Sequence, residues 1–173
     1  MATRSTISIQ KKDGTIRSVY CHWDGYCEYN GVLLYNFYNT TDKVNELIDY
    51  GDISSLGSEI GKKHNFDNLH YNGCTFYHRD RNEEKHISVY NQCQDIEEEE
   101  YNYIFVEEKN EWIVKEEYET EYKKLEDVFK DHPLSSWNIA VSNEAQYEKM
   151  VDFYNKFGKN VKIPKIEEVL YEI

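Results

Sequence analysis

The sequence predicts an α+β fold: a largely antiparallel sheet of hairpins with several short helices packed against it. Two regions alternate apolar and polar residues across turn-forming residues, and short amphipathic segments lie between and after them. Strands and helices do not alternate regularly, which disfavours a parallel sheet of repeated strand–helix–strand units. At 173 residues, the chain is predicted to form one domain with a sizeable core.

Two hairpins are predicted. In the first, residues 5–10 and 15–23 flank a turn in which Gly14 is free to adopt a positive φ. In the second, the β-prone runs 101–106 and 112–114 flank a polar turn. The first 115 residues therefore hold both hairpins and short helices, and residues 116–173 are predicted to be mostly helical.

The helices are predicted from apolar spacing and capping residues. Thr40 or Thr41 caps a helix that ends at Gly51, and Ser142 or Asn143 caps a longer helix that ends at Gly158. Residues 31–38 are apolar and aromatic, which is typical of an inward-packed helix. Residues 118–129 are strand or helix, and their apolar spacing favours helix.

The remaining segments are short. Residues 52–61 are expected to form a loop with one helical turn, and residues 74–77 and 86–90 are expected to form short strands. Val161 and Ile163 suggest a last strand, followed by a short helical end. The sixteen tyrosines, seven phenylalanines and three tryptophans favour an ordered core despite an apolar content of 39%.

The strongest functional signal is charge. Residues 95–121 hold twelve carboxylates and two lysines, so most of the chain's net charge of −13 lies there. Such a band repels nucleic-acid and membrane phosphates and attracts cationic surfaces. No basic stripe suggests direct nucleic-acid binding, and no apolar run is long enough to span a membrane. Without an export signal, the four cysteines are expected to be reduced thiols in a cytoplasm.

One polar string could carry chemistry at the end of the first hairpin. In an extended segment His22 and Asp24 share a face, so a base and a carboxylate could converge on one ligand beside Trp23 and Tyr26. The structural interpretation is a corner in which Trp23 is buried, Asp24 bonds turn amides and Gly25 is left-handed. From spacing alone the structural interpretation is favoured.

A second string, residues 74–81, places Arg79 and Arg81 on either side of an aspartate. Paired arginines can grip a phosphate or a carboxylate through bidentate contacts. Alternatively they form salt bridges with nearby glutamates, which is the favoured interpretation. Cysteines and His78 have loose metal-ligand spacing, but no C-x-x-C pair is present, so neither a metal nor a cofactor is expected.

Five further strings are informative together: residues 2–7, 19–26, 47–57, 74–81 and 101–105. In this order they resemble an uncharacterised family of small proteins from bacteriophages and related mobile elements. His78 departs from the small residue expected between Tyr77 and Arg79. The resemblance covers roughly residues 1–115 and implies a phage or plasmid origin, without an assigned activity.

That origin favours a non-enzymatic counter-defence protein acting in the host bacterial cytoplasm. It would bind and inhibit an immune effector, such as a CRISPR or other nuclease, by presenting carboxylates in place of phosphates. A solvated face that only maintains solubility is the competing interpretation. The contact residues predicted for the partner's cationic surface are Glu97, Glu98, Glu99, Glu100, Glu107, Glu108, Glu111, Glu116, Glu117, Glu119 and Glu121.

The alternative is a binder or hydrolase of a small nucleotide, such as an immune signal. In that hypothesis arginines hold phosphate, an aromatic ring stacks on the base and His22 acts as acid or base. Whether any bond is broken is left open, and no catalytic residue is assigned. The residues of this hypothetical pocket are Arg4, His22, Trp23, Asp24, Tyr26, Arg79 and Arg81.

Overall fold

The computed structural model of the protein describes residues 1–68 and 71–171, and this part confirms the α+β class. The strands are β1 (Ser5–Gln10), β2 (Ile16–Cys21), β3 (Ile53–Ser55), β4 (Thr75–Phe76), β5 (Ser88–Tyr90), β6 (Tyr101–Val106), β7 (Glu111–Glu116) and β8 (Lys123–Lys124). The helices are α1 (Val32–Phe37), which continues a π-helical turn at Cys27–Gly31, α2 (Thr41–Asp49), α3 (Tyr77–Arg81), α4 (Leu125–Asp131), α5 (Glu144–Phe157) and α6 (Ile166–Val169).

All of these strands join one mixed, mostly antiparallel sheet in the order β4-β3-β2-β1-β6-β7-β8, with β5 also paired to β2. Both predicted hairpins are confirmed as β1–β2 and β6–β7. They meet through a parallel pairing of β1 with β6, and β2 pairs in parallel with β3. None of the helices in the described ranges is long and apolar enough to cross a membrane.

One face of the sheet carries the main core. Alternate strand residues are fully buried there, among them Ile7, Ile9, Tyr103 and Phe105. Helices after residue 115 join the same core through Phe129 and other apolar side chains. Two buried aromatic side chains of this core are anchored by their polar atoms: the Tyr103 hydroxyl donates to the Gly25 carbonyl at 2.6 Å, and Trp112 Nε1 donates to the Tyr38 carbonyl at 2.8 Å.

The opposite face is polar near its centre and is crossed by the acidic segment. A small second core of Ile16, Ile96 and Ile104 packs there. Beside it, the fully buried Asn102 side chain accepts from Glu99 N at 3.0 Å and donates to the Glu99 carbonyl at 2.9 Å. The start of the acidic segment is therefore bonded to strand β6.

Several local expectations are settled by the structure. Thr40 caps α2 and Asn143 caps α5, each accepting a hydrogen bond from a backbone N–H three residues later. The expected loop at 52–61 is wrong in part, because it contains β3, whose Ile53 carbonyl accepts from His22 N at 3.0 Å. The expected strand at Val161 and Ile163 is also wrong, since this segment adopts no regular structure.

Candidate functional site

The acidic band of the sequence is divided in space by the β6–β7 hairpin. Tyr101 pairs with Glu116 at one end of the two strands, and Val106 pairs with Glu111 at the other. Five residue steps along a strand span about 17 Å. Glutamates that are continuous in sequence therefore lie at two separate ends of the hairpin.

We call the larger group the acidic end and the smaller group the hairpin tip. The acidic end comprises Glu97, Glu98, Glu99, Glu100, Glu116, Glu117, Glu119 and Glu121. The hairpin tip comprises Glu107, Glu108 and Glu111.

At the hairpin tip, carboxylates are mostly engaged by the protein itself. Glu107 accepts a hydrogen bond from Lys12 N at 3.0 Å, which ties the second hairpin to the turn of the first. Glu111 lies 3.8 Å from the ammonium group of Lys124. These carboxylates therefore have a structural role in the free protein.

At the acidic end, only some of the carboxylates have such contacts. Glu98 forms an ion pair with Lys115, and Glu119 forms one with Lys123 at 2.8 Å. In contrast, the exposed side chains of Glu97, Glu117 and Glu121 make no hydrogen bond or ion pair within residues 1–68 and 71–171. They remain available to a partner.

Neighbouring glutamates contribute to a raised pKa at one residue of the acidic end. Burial, followed by the charges of Glu97, Glu100 and Glu117, raises the pKa of Glu99, and the Arg4 guanidinium opposes this shift. Repulsion of this kind is a cost that an approaching cation would relieve.

Of the residues in the alternative pocket, Arg79 turns inward. Its five N–H donors make five hydrogen bonds: two to the carboxylate of Asp80, and one each to the carbonyls of Ile60, Gly61 and Cys74. The Asp80 side chain is fully buried. Arg79 therefore has no donor left for a phosphate, and its ion-pair partner is Asp80 rather than a glutamate of the acidic band.

Arg81 lies on the outside of the same short helix. Its guanidinium forms an ion pair with Glu83 and lies 4.4 Å from the Phe66 ring centroid and 5.0 Å from that of Tyr77. This arrangement matches the expected salt-bridge interpretation. Arg79 and Arg81 therefore do not form one binding site for a phosphate or a carboxylate.

The rings of His22 and Trp23 are in contact, and the charge of Arg4 affects the pKa of His22. His22 Nδ1 is 2.6 Å from the Tyr20 hydroxyl, and its ring meets Trp23 edge-on with centroids 4.6 Å apart. Burial, and next the charge of Arg4, lower the pKa of His22. Sequence reasoning missed Tyr20, although its position two residues before His22 on β2 places it on the same face.

Asp24 and Tyr26 pair with each other: the Tyr26 hydroxyl donates to Asp24 at 3.3 Å. The predicted corner needs three corrections, the first being that Asp24 accepts from the Tyr26 hydroxyl and from no turn amide of the described residues. Trp23 is 43% exposed rather than buried, and Asp24 rather than Gly25 has the positive φ, at 58°. Gly25 is needed for space, because a Cβ there would lie 2.9 Å from the Thr3 carbonyl.

Three of the four cysteines, Cys21, Cys27 and Cys74, are buried, and Cys93 is half-buried. Burial raises the pKa of Cys21 and of Cys27 to about 12, and that of Cys74 to about 11. A thiol in that range is protonated at neutral pH and is a poor nucleophile or metal ligand. Within residues 1–68 and 71–171 no three His, Cys, Asp or Glu side chains are grouped to hold a metal ion.

Sequence reasoning also missed two adjoining clefts beside α2, of about 560 and 610 Å³, which share Glu46 and Tyr50. Lysines from four separate segments line them, so no local string signals the site. They are Lys43 and Lys149 in the first cleft, and Lys63 and Lys85 in the second. Arg79 lines the second cleft, but His22, Asp24 and Tyr26 do not.

Comparison with protein-family models, with curated proteins and with solved structures finds no match for this chain.

Proposed function

We propose that this protein is a non-enzymatic inhibitor whose acidic end docks on a cationic, nucleic-acid-binding surface of another protein. The observation that carries the proposal is the gathering of eight carboxylates at one end of the β6–β7 hairpin. The resemblance to phage proteins favours a bacterial immune effector, such as a CRISPR or other nuclease, as the partner. The site of action is then the host cytoplasm.

The acidic end is suited to this role because it is held in place before binding. The Asn102 side chain bonds the backbone of Glu99, and Lys115 donates to the Glu119 carbonyl at 3.3 Å as well as to Glu98. Ordering a loop on binding costs free energy, and a surface already ordered avoids that cost. The backbone that carries these carboxylates is therefore ordered before a partner binds.

The free carboxylates also determine the expected kinetics. Complementary charge raises association rates and suppresses wrong partners, and both effects weaken with salt. Glu97, Glu117 and Glu121 are the residues through which this attraction can be tested, since neutralising their carboxylates breaks no hydrogen bond or ion pair within residues 1–68 and 71–171.

A capture experiment tests the proposal. The tagged protein is incubated with a lysate of the bacterial host at about 0.05 M and about 0.5 M salt, where the screening length differs several-fold. A triple variant, Glu97→Gln, Glu117→Gln and Glu121→Gln, is compared with a control of equal net charge, Glu108→Gln, Glu148→Gln and Glu167→Gln. All six side chains are exposed.

We expect a nucleic-acid-binding protein to be retained at low salt by the wild type and the control, and lost at high salt. The acidic-end variant should bind that protein at least about tenfold more weakly, because tenfold needs only about 1.4 kcal/mol over three charges. Equal loss in both variants would mean that net charge alone acts, and retention by the acidic-end variant would exclude the acidic end as the contact.

A further inference from the structure

The clefts beside α2 differ in charge from the rest of the molecule. Five cations and three carboxylates line them, in a chain whose net charge is −13. Among residues 1–68 and 71–171, no carboxylate lies within 4.0 Å of the ammonium groups of Lys43, Lys63, Lys85 or Lys149. Five other lysines, in contrast, form ion pairs.

The carboxylates of the clefts are largely occupied. Asp49 forms an ion pair with Arg17 at 2.5 Å, and Glu59 accepts a hydrogen bond from Gln146 Nε2 at 2.8 Å. Glu46, which borders both clefts, is the remaining one. The lysines therefore outnumber the carboxylates that face them, and the positive charge of the clefts is only partly compensated.

Lys43 and Lys149 of the first cleft also repel each other. Burial, and next the charge of Lys43, lower the pKa of Lys149, whose ammonium lies 6.0 Å from the Phe37 ring centroid. A bound anion between these lysines would remove that repulsion, since an opposite charge favours the charged form of an amine.

The remaining walls are aromatic and amphipathic. Half-buried Phe37 and Tyr50 line the first cleft, together with Ser58 and Gln146. Cavities that hold small organic ligands are typically about 300–1,000 Å³, and each cleft falls in that range. Aromatic rings offer stacking surfaces to a flat base, and carboxylates such as Glu46 accept hydrogen bonds from ribose hydroxyls.

We propose that the clefts beside α2 bind a nucleotide, with Lys43 and Lys149 holding the phosphate and Phe37 or Tyr50 contacting the base. This site shares Arg79, but not His22, Asp24 or Tyr26, with the pocket expected from the sequence, and it takes the same class of ligand. No residue of the acidic end lines either cleft, so nucleotide binding and partner binding can be tested separately.

Calorimetric titration of the full chain tests this, with AMP, adenosine and inorganic phosphate as probes. AMP is expected to bind, and adenosine and phosphate to bind at least about tenfold more weakly, because each lacks one of the two recognised parts. The variant Lys43→Gln with Lys149→Gln should weaken AMP binding by about tenfold or more, as expected when hydrogen bonds to charged groups are lost.

Two further variants make the test specific. Lys63→Gln with Lys85→Gln removes the same charge from the second cleft and should weaken ADP more than AMP, because the additional phosphate reaches farther. Lys159→Gln with Lys162→Gln is the control: it removes two positive charges from exposed lysines that line neither cleft. This variant should change AMP affinity less than about twofold.

The proposal is overturned if AMP does not bind, or if the Lys43 and Lys149 variant binds AMP as tightly as the control. Equal affinity for AMP and phosphate would overturn the nucleotide class, since the ring would then not be recognised. Equal affinity for AMP and adenosine would overturn the role of the lysines.

Discussion

The acidic end and the lysine-lined clefts are opposite in charge and are also built differently. Eight glutamates of the acidic end come from two segments that the β6–β7 register brings together. The four lysines of the clefts come from α2, α5 and two loops, which meet only when the whole chain folds. One region is therefore a product of local hairpin geometry and the other a product of tertiary packing.

Each region nevertheless depends on one buried polar side chain. Asn102 bonds the acidic segment to β6, and Asp80 bonds the loop at His64, next to the second cleft, and strand β4 at Phe76 N. Both side chains are fully buried. The difference is charge: Asp80 neutralises Arg79, whereas Asn102 makes neutral hydrogen bonds. Removing the charged anchor should therefore cost more than removing the neutral one.

The largest loss of folding stability is expected for Asp80→Asn. This change leaves the guanidinium of Arg79 buried without a counter-charge, which typically costs about 3–5 kcal/mol. The free energy of unfolding, measured by urea denaturation, should fall by that amount. The matched change Asp49→Asn affects an exposed partner of Arg17 and should cost less than about 1 kcal/mol. Equal losses would contradict the assignment of Arg79 and Asp80 as a buried structural pair.

A smaller effect is expected for Asn102→Ala. The Asn102 amide bonds Glu99 N, the carbonyls of Glu99 and Lys115, and the Thr6 hydroxyl. Leaving these buried groups unpaired should cost about 2–3 kcal/mol. Hydrogen exchange should also speed up in the backbone before β6, but not around Lys43.

The control for Asn102 is Asn36→Ala, a buried asparagine that donates one hydrogen bond, to the Val32 carbonyl of its own helix. It should cost less and leave exchange at the acidic end unchanged. If both variants open the acidic end alike, Asn102 does not anchor it.

The smallest change in folding stability is expected at Asp52, whose pKa is raised by burial. A carboxyl whose folded pKa lies above its unfolded value gains protons on folding, so its contribution to stability increases as pH falls from neutral toward the ordinary value of about 3.9. His86 lies 3.4 Å away and opposes the shift when it is protonated. Asp52→Asn keeps an acceptor for Tyr20 N and removes the titration.

Urea unfolding of the wild type and Asp52→Asn between pH 7 and pH 4 measures this contribution. The variant's stability advantage should be largest near pH 7 and should shrink as the wild-type carboxyl is protonated. An advantage that grows toward low pH would contradict the direction of the shift.

How far the sequence predicts these regions depends on how local their determinants are. Alternation around Gly14 and around residues 107–110 was sufficient to predict both hairpins. The second hairpin already implied that Glu107 and Glu100 lie at opposite ends, although the sequence suggested one continuous acidic band. Strand β3 was missed because three residues carry no detectable period, and its pairing with Cys21 is long-range.

The rest of the candidate sites could not be predicted because tertiary packing decides side-chain direction. Nothing in the string around Arg79 and Arg81 indicates that one turns inward to Asp80 and the other outward to Phe66. Lys43 and Lys149 are 106 positions apart, and no motif connects them. Their proximity follows from the packing of α2 and α5 on a common core.

Zero-length cross-linking of the captured complex would show whether the acidic end is the surface that contacts the partner. A carbodiimide joins a carboxylate to a lysine amine only where the two touch, and mass spectrometry identifies the joined residues. We predict cross-links from Glu97, Glu117 or Glu121 to lysines of the partner's nucleic-acid-binding surface. Cross-links confined to Glu108 at the hairpin tip, or to glutamates of α5, would contradict the account.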